Sequence, residues 1–229
     1  MPIPIFVYIA AALVGGAGGV VTVYQYRKEI KKYFTGKDIV ILGESRVGKT
    51  TLHKYLRYGE LVKEHIGTNR AENVKKNVYK LKGLKLKIAE GKDVPGQKDF
   101  QYEWKPLFVN GDICFYLFNS VEVSQNNNDT IKAINSSLYH IGNWKKEAEK
   151  DMRVILIGTH MDKINNIGDY NKSNIQELHK DLRKKLDIGL IDGDIKASEF
   201  FLGNLFDKEE RKVLMSEILN YLATSKNEL

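Results

Sequence analysis

The sequence contains little cysteine and little proline. Cys114 is the single cysteine in 229 residues, so no internal disulfide can form, which suits a reducing compartment. There are four prolines, and no low-complexity linker divides the chain. Once an apolar N-terminal segment is set aside, roughly 200 residues remain, which is enough for one domain with a sizeable core. The sequence therefore predicts one globular domain.

The chain also lacks the charge pattern of a nucleic-acid-binding protein. Its formal net charge is +7, but the lysines are spread along the chain and no basic stripe with interleaved aromatic residues occurs. We therefore expect no nucleic-acid partner. A local cluster of basic side chains directly follows the apolar N-terminus, where it favours anionic lipid headgroups; it comprises Arg27, Lys28, Lys31, Lys32 and Lys37.

The N-terminal segment has no charged residue from Ile3 to Tyr26. A helix of this length spans a bilayer core of roughly 30 Å. A buried core helix is one alternative, but such helices rarely stay uncharged on every face. A cleaved signal peptide is another, but those carry positive charge before the apolar region. The sequence predicts a retained transmembrane anchor, residues 1–26, and a basic juxtamembrane linker, residues 27–36.

The charge that follows this segment predicts its orientation. Positive residues tend to stay on the cytoplasmic side, so everything after Arg27 is expected in the cytoplasm, attached to a single-pass membrane helix. Gly15 and Gly19 have the GxxxG spacing that allows two such helices to pack closely, which makes a dimer through this segment an open expectation.

The remainder, residues 37–229, alternates short apolar runs with longer polar, periodic ones, which is typical of an α/β domain. Gly83 separates two alternating halves that read as a hairpin, so one strand pair should be antiparallel and the others parallel. The predicted strands are Ile39–Leu42, Val78–Leu81, Leu84–Ala89, Ile113–Phe118, Val154–Ile157 and a segment around Ile195–Ala197. The predicted helices are Lys49–Tyr58, about Thr130–Lys150, Ser173–Leu186 and Asp207–Leu222.

The segment GESRVGKT, Gly43 to Thr50, matches the phosphate-binding pattern GxxxxGK[ST] between a predicted strand and a predicted helix. Glycines let backbone N–H groups face the phosphates at a helix N-terminus, Lys49 reaches the β and γ phosphates, and the Thr50 hydroxyl ligates Mg²⁺. The candidate nucleotide-binding residues here are Gly43, Glu44, Ser45, Arg46, Val47, Gly48, Lys49, Thr50 and Thr51.

Two further segments complete the predicted site. Asp93 follows the hairpin and supplies an acidic group on the magnesium side, Gly96 allows a close backbone N–H to a γ phosphate, and Gln97 is placed to orient an attacking water. Asp162 comes just beyond a buried strand, where nucleotide sites form in open α/β sheets. Its carboxylate can accept two hydrogen bonds from guanine N1 and N2, a donor pair that adenine lacks.

With these motifs in order, the chain resembles the Ras-like small GTPase superfamily from about Lys37 to Leu222. GESRVGKT is similar to its first motif, DVPGQ to its third and THMD, beginning at Thr159, to its fourth. The resemblance implies a P-loop NTPase fold of the α/β class: a six-stranded, mostly parallel sheet with one antiparallel edge strand, flanked by helices. It also implies GTP or GDP with Mg²⁺ as ligands and a cytoplasmic effector or regulatory protein as partner.

Several features look nearest to the Arf-like and signal-recognition-particle-receptor-β branch. These are Ile66-Gly67-Thr68-Asn69 before the hairpin, Trp104 after the third motif, and an N-terminal anchor in place of a lipid. By the same resemblance, His160 holds the place that stacks on the base, and Ala197 and Ser198 look like a degenerate fifth motif at guanine O6.

The chain also departs from the usual motifs. Thr159 replaces asparagine and His160 replaces lysine, although Rho-like and Roc-like members are similar in carrying threonine first. The second motif needs a threonine that senses the γ phosphate and ligates magnesium; Thr68 is at a suitable distance, whereas alignment on Ile66 and Gly67 gives His65 instead. The expected metal ligands are thus Thr50, Thr68 and Asp93.

Three functions remain open on the sequence alone. The first is a regulated GTP hydrolase in which Gln97 positions water and a partner supplies any arginine finger. The second is a GTP-loaded receptor or scaffold subunit with little hydrolysis of its own. The third is an ATP-using P-loop enzyme, for which Asp162 would not affect binding.

Overall fold

The computed structural model describes residues 37–58, 72–73, 77–81, 84–88, 92–93, 101–148, 152–164, 172–196 and 199–224. In these ranges the chain alternates strands and helices from β1 (Ile39–Gly43) to a C-terminal helix that ends at Thr224. No helix in the described ranges is long and apolar enough to cross a bilayer. The predicted anchor, its GxxxG spacing and the basic linker lie outside the described residues.

The main sheet contains β1 and five further strands: β3 (Asn77–Leu81), β4 (Leu84–Ile88), β6 (Ile113–Asn119), β7 (Arg153–Thr159) and β8 (Phe200–Leu202). Their order in the sheet is β3-β4-β1-β6-β7-β8. Only the β3–β4 pairing is antiparallel, and β3 lies at the edge. The pairings β4–β1, β1–β6, β6–β7 and β7–β8 are parallel. The predicted six-stranded, mostly parallel sheet with one antiparallel edge strand is therefore confirmed.

A second sheet, which the sequence analysis did not predict, joins β2 (Glu72–Asn73) to β5 (Lys92–Asp93). The two short strands are antiparallel, with Glu72 opposite Asp93. Asp93, the predicted magnesium ligand, thus has its backbone in this two-stranded sheet; its side chain lies outside what the structure describes.

The helices cover both faces of the main sheet. They are α1 (Lys49–Tyr58), α2 (Gln101–Asn110), α3 (Ser120–Ser124), α4 (Asn128–Glu147), α5 (Lys172–Lys185), α6 (Asp187–Asp192) and α7 (Lys208–Thr224). The four predicted helices correspond to α1, α4, α5 and α7, with ends shifted by up to three residues. Helices α2, α3 and α6 were not predicted.

The strand β6 lies in the middle of the core and is buried almost along its whole length. Successive side chains of a strand point to opposite faces. Phe115 and Leu117 join the cluster with α1 and α7, whereas Cys114, Tyr116 and Phe118 join the cluster with α2, α4 and α5. The result is a three-layer α/β domain in which both faces of the sheet are sealed by helices, as parallel sheets require.

Candidate functional site

The phosphate-loop segment runs from the end of β1 into the first turn of α1, as the sequence pattern requires. Gly43 has φ of +139°, and a Cβ at this position would lie 2.2 Å from the carbonyl oxygen of Leu117 in the neighbouring strand β6. Only glycine fits there. Gly48 has φ of +92°, and Arg46 adopts the left-handed region with φ of 61°. The loop is therefore a tight turn that delivers the chain directly to a helix N-terminus.

Lys49 and Thr50 begin α1 at the end of this turn. Lys49 is 9% exposed, and its Nζ donates a hydrogen bond of 2.5 Å to the carbonyl oxygen of Glu44, so the ammonium group lies across the loop. Thr50 and Thr51 are half-buried, whereas Ser45 and Arg46 are exposed. A buried ammonium group, a helix N-terminus and a neighbouring hydroxyl form a donor set that fits the phosphates of a nucleotide and their Mg²⁺.

The fourth-motif segment begins at the carboxyl end of β7, on the same side of the sheet as the phosphate loop. Thr159 is the last residue of β7 and is 1% exposed. Its Oγ1 lies 3.0 Å from the carbonyl oxygen of Val47, in the phosphate loop, and 3.0 Å from that of Phe118, in β6. One hydroxyl group therefore connects the predicted base-recognition segment to the predicted phosphate-recognition loop.

His160 follows in the left-handed region, with φ of 62°, and opens a 3₁₀ turn formed by Met161–Lys163. Its Nδ1 lies 2.9 Å from Thr159 Oγ1. The two carbonyl groups around that hydroxyl can only accept, so its one proton is directed to them; a proton on His160 Nδ1 then lets the ring donate to Thr159 Oγ1. Burial and the nearby Lys163 lower the pKa of His160, which favours the neutral ring. Met161 is buried beneath the turn, and Asp162 is exposed at its surface.

The last strand of the sheet differs from its predicted position. A strand was predicted around Ile195–Ala197, but β8 is Phe200–Leu202, and Ile195 precedes it in a loop. The reason is pairing: Phe200 to Leu202 lie opposite Leu156 to Gly158 of β7, and all three are buried. The candidate fifth-motif residues Ala197 and Ser198 come before β8 and lie outside the described residues.

A loop that was not predicted from the sequence, residues 203–207, follows the carboxyl end of β8, next to the phosphate loop. Gly203 N donates to the carbonyl oxygen of Gly158 over 2.9 Å. Leu205 is buried, and its Cδ1 would lie 3.1 Å from a Cβ added at Gly48, so this loop lies against the phosphate loop. Asn204 is also buried, and its Oδ1 accepts from Phe206 N at 2.7 Å.

Helix α7 follows this loop and is hydrogen-bonded to it. Asp207 Oδ1 accepts hydrogen bonds of 2.9 Å from the backbone of Glu209 and of Glu210 at the start of α7. Arg211 is 1% exposed, donates from Nη1 to the carbonyl oxygen of Leu205 at 2.6 Å, and stacks over the Tyr55 ring of α1 at 4.7 Å. The signal available in the sequence was Gly203 followed by Asn204 and Asp207, a turn and a helix cap.

Several predicted site residues cannot be placed from the structure. Thr68, its alternative His65, Gly96, the predicted catalytic residue Gln97, and Ala197 with Ser198 lie outside the described residues. The structure therefore brings together the first and fourth motifs, and the second and third motifs stay predictions.

Comparison with known proteins gives the family. The family model of the Roc domain, "Ras of Complex, Roc, domain of DAPkinase", matches residues 38–162, more than half of the chain and the whole stretch from before β1 to the 3₁₀ turn. The fold is similar to that of an ADP-ribosylation-factor-like GTP-binding protein, the small COPII coat GTPase SAR1 of Encephalitozoon cuniculi, solved in complex with GDP. That likeness has 14% identity and a TM-score of 0.52, and it covers 95% of this chain and 93% of the other. At this identity it shows the Ras-like fold, and the Arf-like branch stays a prediction. The chain belongs to the Roc, or Ras of Complex, domain family of Ras-like GTPases.

Proposed function

We propose that this protein binds GTP and GDP with Mg²⁺ and acts as a membrane-anchored switch that hydrolyses GTP on the cytoplasmic face. The observation that carries the proposal is the direct link from Thr159 to the phosphate loop at Val47. A nucleotide that reaches from one motif to the other would have its base and its phosphates held by one connected unit. Membership of the Roc family supports guanine nucleotides as the ligands.

Different residues would bind different parts of the nucleotide. Lys49 and the α1 N-terminus would hold the β and γ phosphates, and Thr50 would ligate magnesium, which neutralises charge on those phosphates. The exposed carboxylate of Asp162 would accept hydrogen bonds from guanine N1 and N2, and the neutral His160 ring would lie against the base. Gln97 would orient the attacking water, and Thr68 and Asp93 would complete the metal site.

The loop of residues 203–207 changes which residues we expect to contact guanine O6. Because it leaves the carboxyl end of β8 and lies against Gly48, its backbone is well placed to face the guanine O6 edge. We therefore assign the base-facing backbone to Gly203, Asn204 and Leu205 in preference to Ala197 and Ser198.

Nucleotide selectivity tests the binding part of the proposal. Titration of the full chain in Mg²⁺ with fluorescent GDP, and competition by ATP, should show binding of GDP and no competition by ATP. Asp162→Ala should weaken GDP binding by at least tenfold, because the guanine donors lose their acceptor. Asp187→Ala, at an exposed position of α6, is the matched control and should leave the Kd unchanged. Equal competition by ATP and no effect of Asp162→Ala would favour an ATP-using enzyme.

Hydrolysis separates the switch from its alternative, a GTP-loaded receptor or scaffold subunit. Phosphate release by the wild-type chain and by Gln97→Leu is measured at saturating GTP. A switch should lose most of its release on substitution, since the water is no longer oriented. Unchanged release, with GTP still bound, would favour the scaffold function.

The anchor and its orientation need a separate measurement. The uncharged stretch of residues 3–26 and the basic cluster after it support a single-pass helix with the GTPase domain in the cytoplasm. The full chain should float with membranes and resist carbonate extraction, and a chain that starts at residue 37 should not. Protease added outside sealed cells should leave the domain intact. Crosslinking of wild type and of Gly15→Ile would test the proposed dimer.

A further inference from the structure

Glu44 belongs to the phosphate loop, and its negatively charged carboxylate would repel a phosphate bound there. The side chain leaves the loop toward the face of the sheet covered by α2 and α4. There Oε1 accepts hydrogen bonds from the phenol of Tyr116 at 3.1 Å and from the Oγ of Ser137 at 3.0 Å. Two hydroxyl groups from different elements, β6 and α4, thus converge on one carboxylate oxygen.

Both donors belong to the core. Tyr116 is fully buried and packs edge-on against the Trp104 ring, with centroids 6.4 Å apart. Ser137 is 1% exposed on α4. Burial and the nearby Glu44 charge raise the pKa of Tyr116 well above its usual value, so the phenol keeps its proton. The carboxylate is therefore held by groups that cannot move without repacking the core.

The main chain of the same residue takes part in the phosphate site itself. Lys49 Nζ donates to the Glu44 carbonyl oxygen at 2.5 Å. The carboxylate lies on the α4 face of the sheet, whereas α1, which carries Lys49, belongs to the opposite face. Glu44 thus joins the loop's ammonium group to a fixed point in the core through the backbone and side chain of one residue.

We propose that Glu44 is a positioning residue of the phosphate loop, whose anchorage by Tyr116 and Ser137 fixes the loop for phosphate binding and keeps its negative charge away from the phosphates. This inference rests on the proposed function, because it concerns affinity for a guanine nucleotide. It predicts that α4, through Ser137, contributes to phosphate affinity although no residue of α4 lies in the phosphate loop.

Ser137→Ala is the sharpest test, because it removes one donor and a single oxygen atom. We expect the Kd for GDP in Mg²⁺ to rise about fivefold, which corresponds to the loss of one hydrogen bond of ordinary strength. Guanosine, which has no phosphate, should compete against fluorescent GDP equally well on both proteins. Ser136→Ala, the exposed neighbour on the same helix, is the control and should not change either value.

A variant without the Glu44 side chain distinguishes positioning from general structural support. In Glu44→Ala the group that accepts from both hydroxyls is absent, so Ser137→Ala made on this background should change GDP affinity by less than twofold. Equal losses for GDP and guanosine, no loss in Ser137→Ala, or the same loss on both backgrounds would overturn the inference. Failure of the wild-type chain to bind GDP would instead overturn the proposed function, and this inference with it.

Discussion

Thr159 shows how much of the site depends on a single side chain. Its hydroxyl is buried at the end of β7 and lies 3.0 Å from two backbone carbonyl groups in different segments. A buried carbonyl group without a donor costs free energy because it has lost its water partners. Threonine can supply the donor while its methyl group packs in the core, which accounts for its fit at a position where asparagine is usual.

The variant Thr159→Val should therefore destabilise the nucleotide-free protein by about 1–3 kcal/mol, since the shape is kept and the donor is lost. The measurement is urea unfolding at neutral pH. Ser216→Ala is the control. The Ser216 hydroxyl donates to the carbonyl oxygen of Lys212 in the same helix, α7, where both residues are half-buried, so loss of this hydroxyl should cost less than about 0.5 kcal/mol. Equal unfolding midpoints for the two variants would contradict the proposed role of the Thr159 hydroxyl.

Glu217 in α7 is a second residue whose environment has a measurable consequence. Burial raises its pKa to about 8 from the usual 4.5. Among the described residues, its Oε1 has no hydrogen-bond partner. The protonated form is therefore favoured in the folded state. The protonated Glu217 therefore stabilises the folded state fully below about pH 4.5, and this stabilisation is lost as the pH rises from 4.5 through about 8.

Replacement of this carboxyl group by an amide should remove that pH dependence. Glu217→Gln should have a free energy of unfolding close to that of wild type at pH 5 and higher by about 1–3 kcal/mol at pH 9. Urea titrations from pH 5 to pH 9 give the difference. Glu177→Gln, at an exposed position of α5, should follow the wild-type curve throughout. A Glu217→Gln curve parallel to wild type would exclude a Glu217 that stays protonated in the folded state at neutral pH.

At the scale of elements, the contact between α4 and α6 depends on two glycines. A Cβ at Gly142 of α4 would lie 1.9 Å from the carbonyl oxygen of Asp192, and one at Gly189 of α6 would lie 2.5 Å from Asn135 Oδ1. The Gly189 N–H donates to the same Asn135 oxygen at 3.2 Å. The two helices are therefore in direct backbone contact.

Gly142→Ala should destabilise the protein although alanine is the better helix former. The gain in helix propensity is about 1 kcal/mol, but the overlap with backbone atoms cannot be relieved by a side-chain rotation, so a net loss of about 1–2 kcal/mol is expected. Thermal unfolding measures it, and hydrogen exchange should show lower protection in α6. Ser136→Ala, on the exposed face of α4, should stay within about 0.5 kcal/mol of wild type. A net gain in stability would show that α6 can move away freely.

The elements that sequence patterns failed to predict share a physical cause. Helix α2 contains Pro106, which removes a backbone donor and argues against a helix, yet Trp104 and Phe108 are buried beneath α4 and stabilise it. Strand β8 is three residues long, too short for alternation to be recognised, and exists because it pairs with β7. Both are decided by contacts between segments distant in the chain.

At the scale of the whole molecule, the described residues form a main sheet with a core cluster on each face, and the site lies at the carboxyl end of that sheet. A ligand held by the phosphate loop and the fourth motif would bind the folded state only, because these segments meet only after β1, β6 and β7 have paired. Binding and folding are therefore linked by mass action.

GDP should accordingly stabilise the full chain. At a free concentration of about 1,000 times Kd in Mg²⁺, the free energy of unfolding should rise by about 4 kcal/mol. ATP at the same concentration should leave it unchanged, and chelation of magnesium should reduce the effect of GTP. Thermal unfolding across a nucleotide series is the measurement. Equal stabilisation by ATP and GDP would contradict guanine selectivity.

The sequence by itself determined the class of the domain and its central motifs. The apolar runs of β1, β6 and β7 and the GxxxxGK[ST] pattern depend on local chemistry, namely side-chain periodicity and the backbone freedom of Gly43 and Gly48. The predicted strand–loop–helix arrangement around Lys49 followed from these local requirements and matches the structure.

Only the tertiary structure decided which distant groups meet. The bond from Thr159 to Val47, the anchorage of Glu44 by Tyr116 and Ser137, and the contact of Leu205 with Gly48 join segments up to 157 residues apart. No periodicity records such contacts, because they arise from the order of strands in the sheet and from the need to satisfy each buried polar group once the strands have packed.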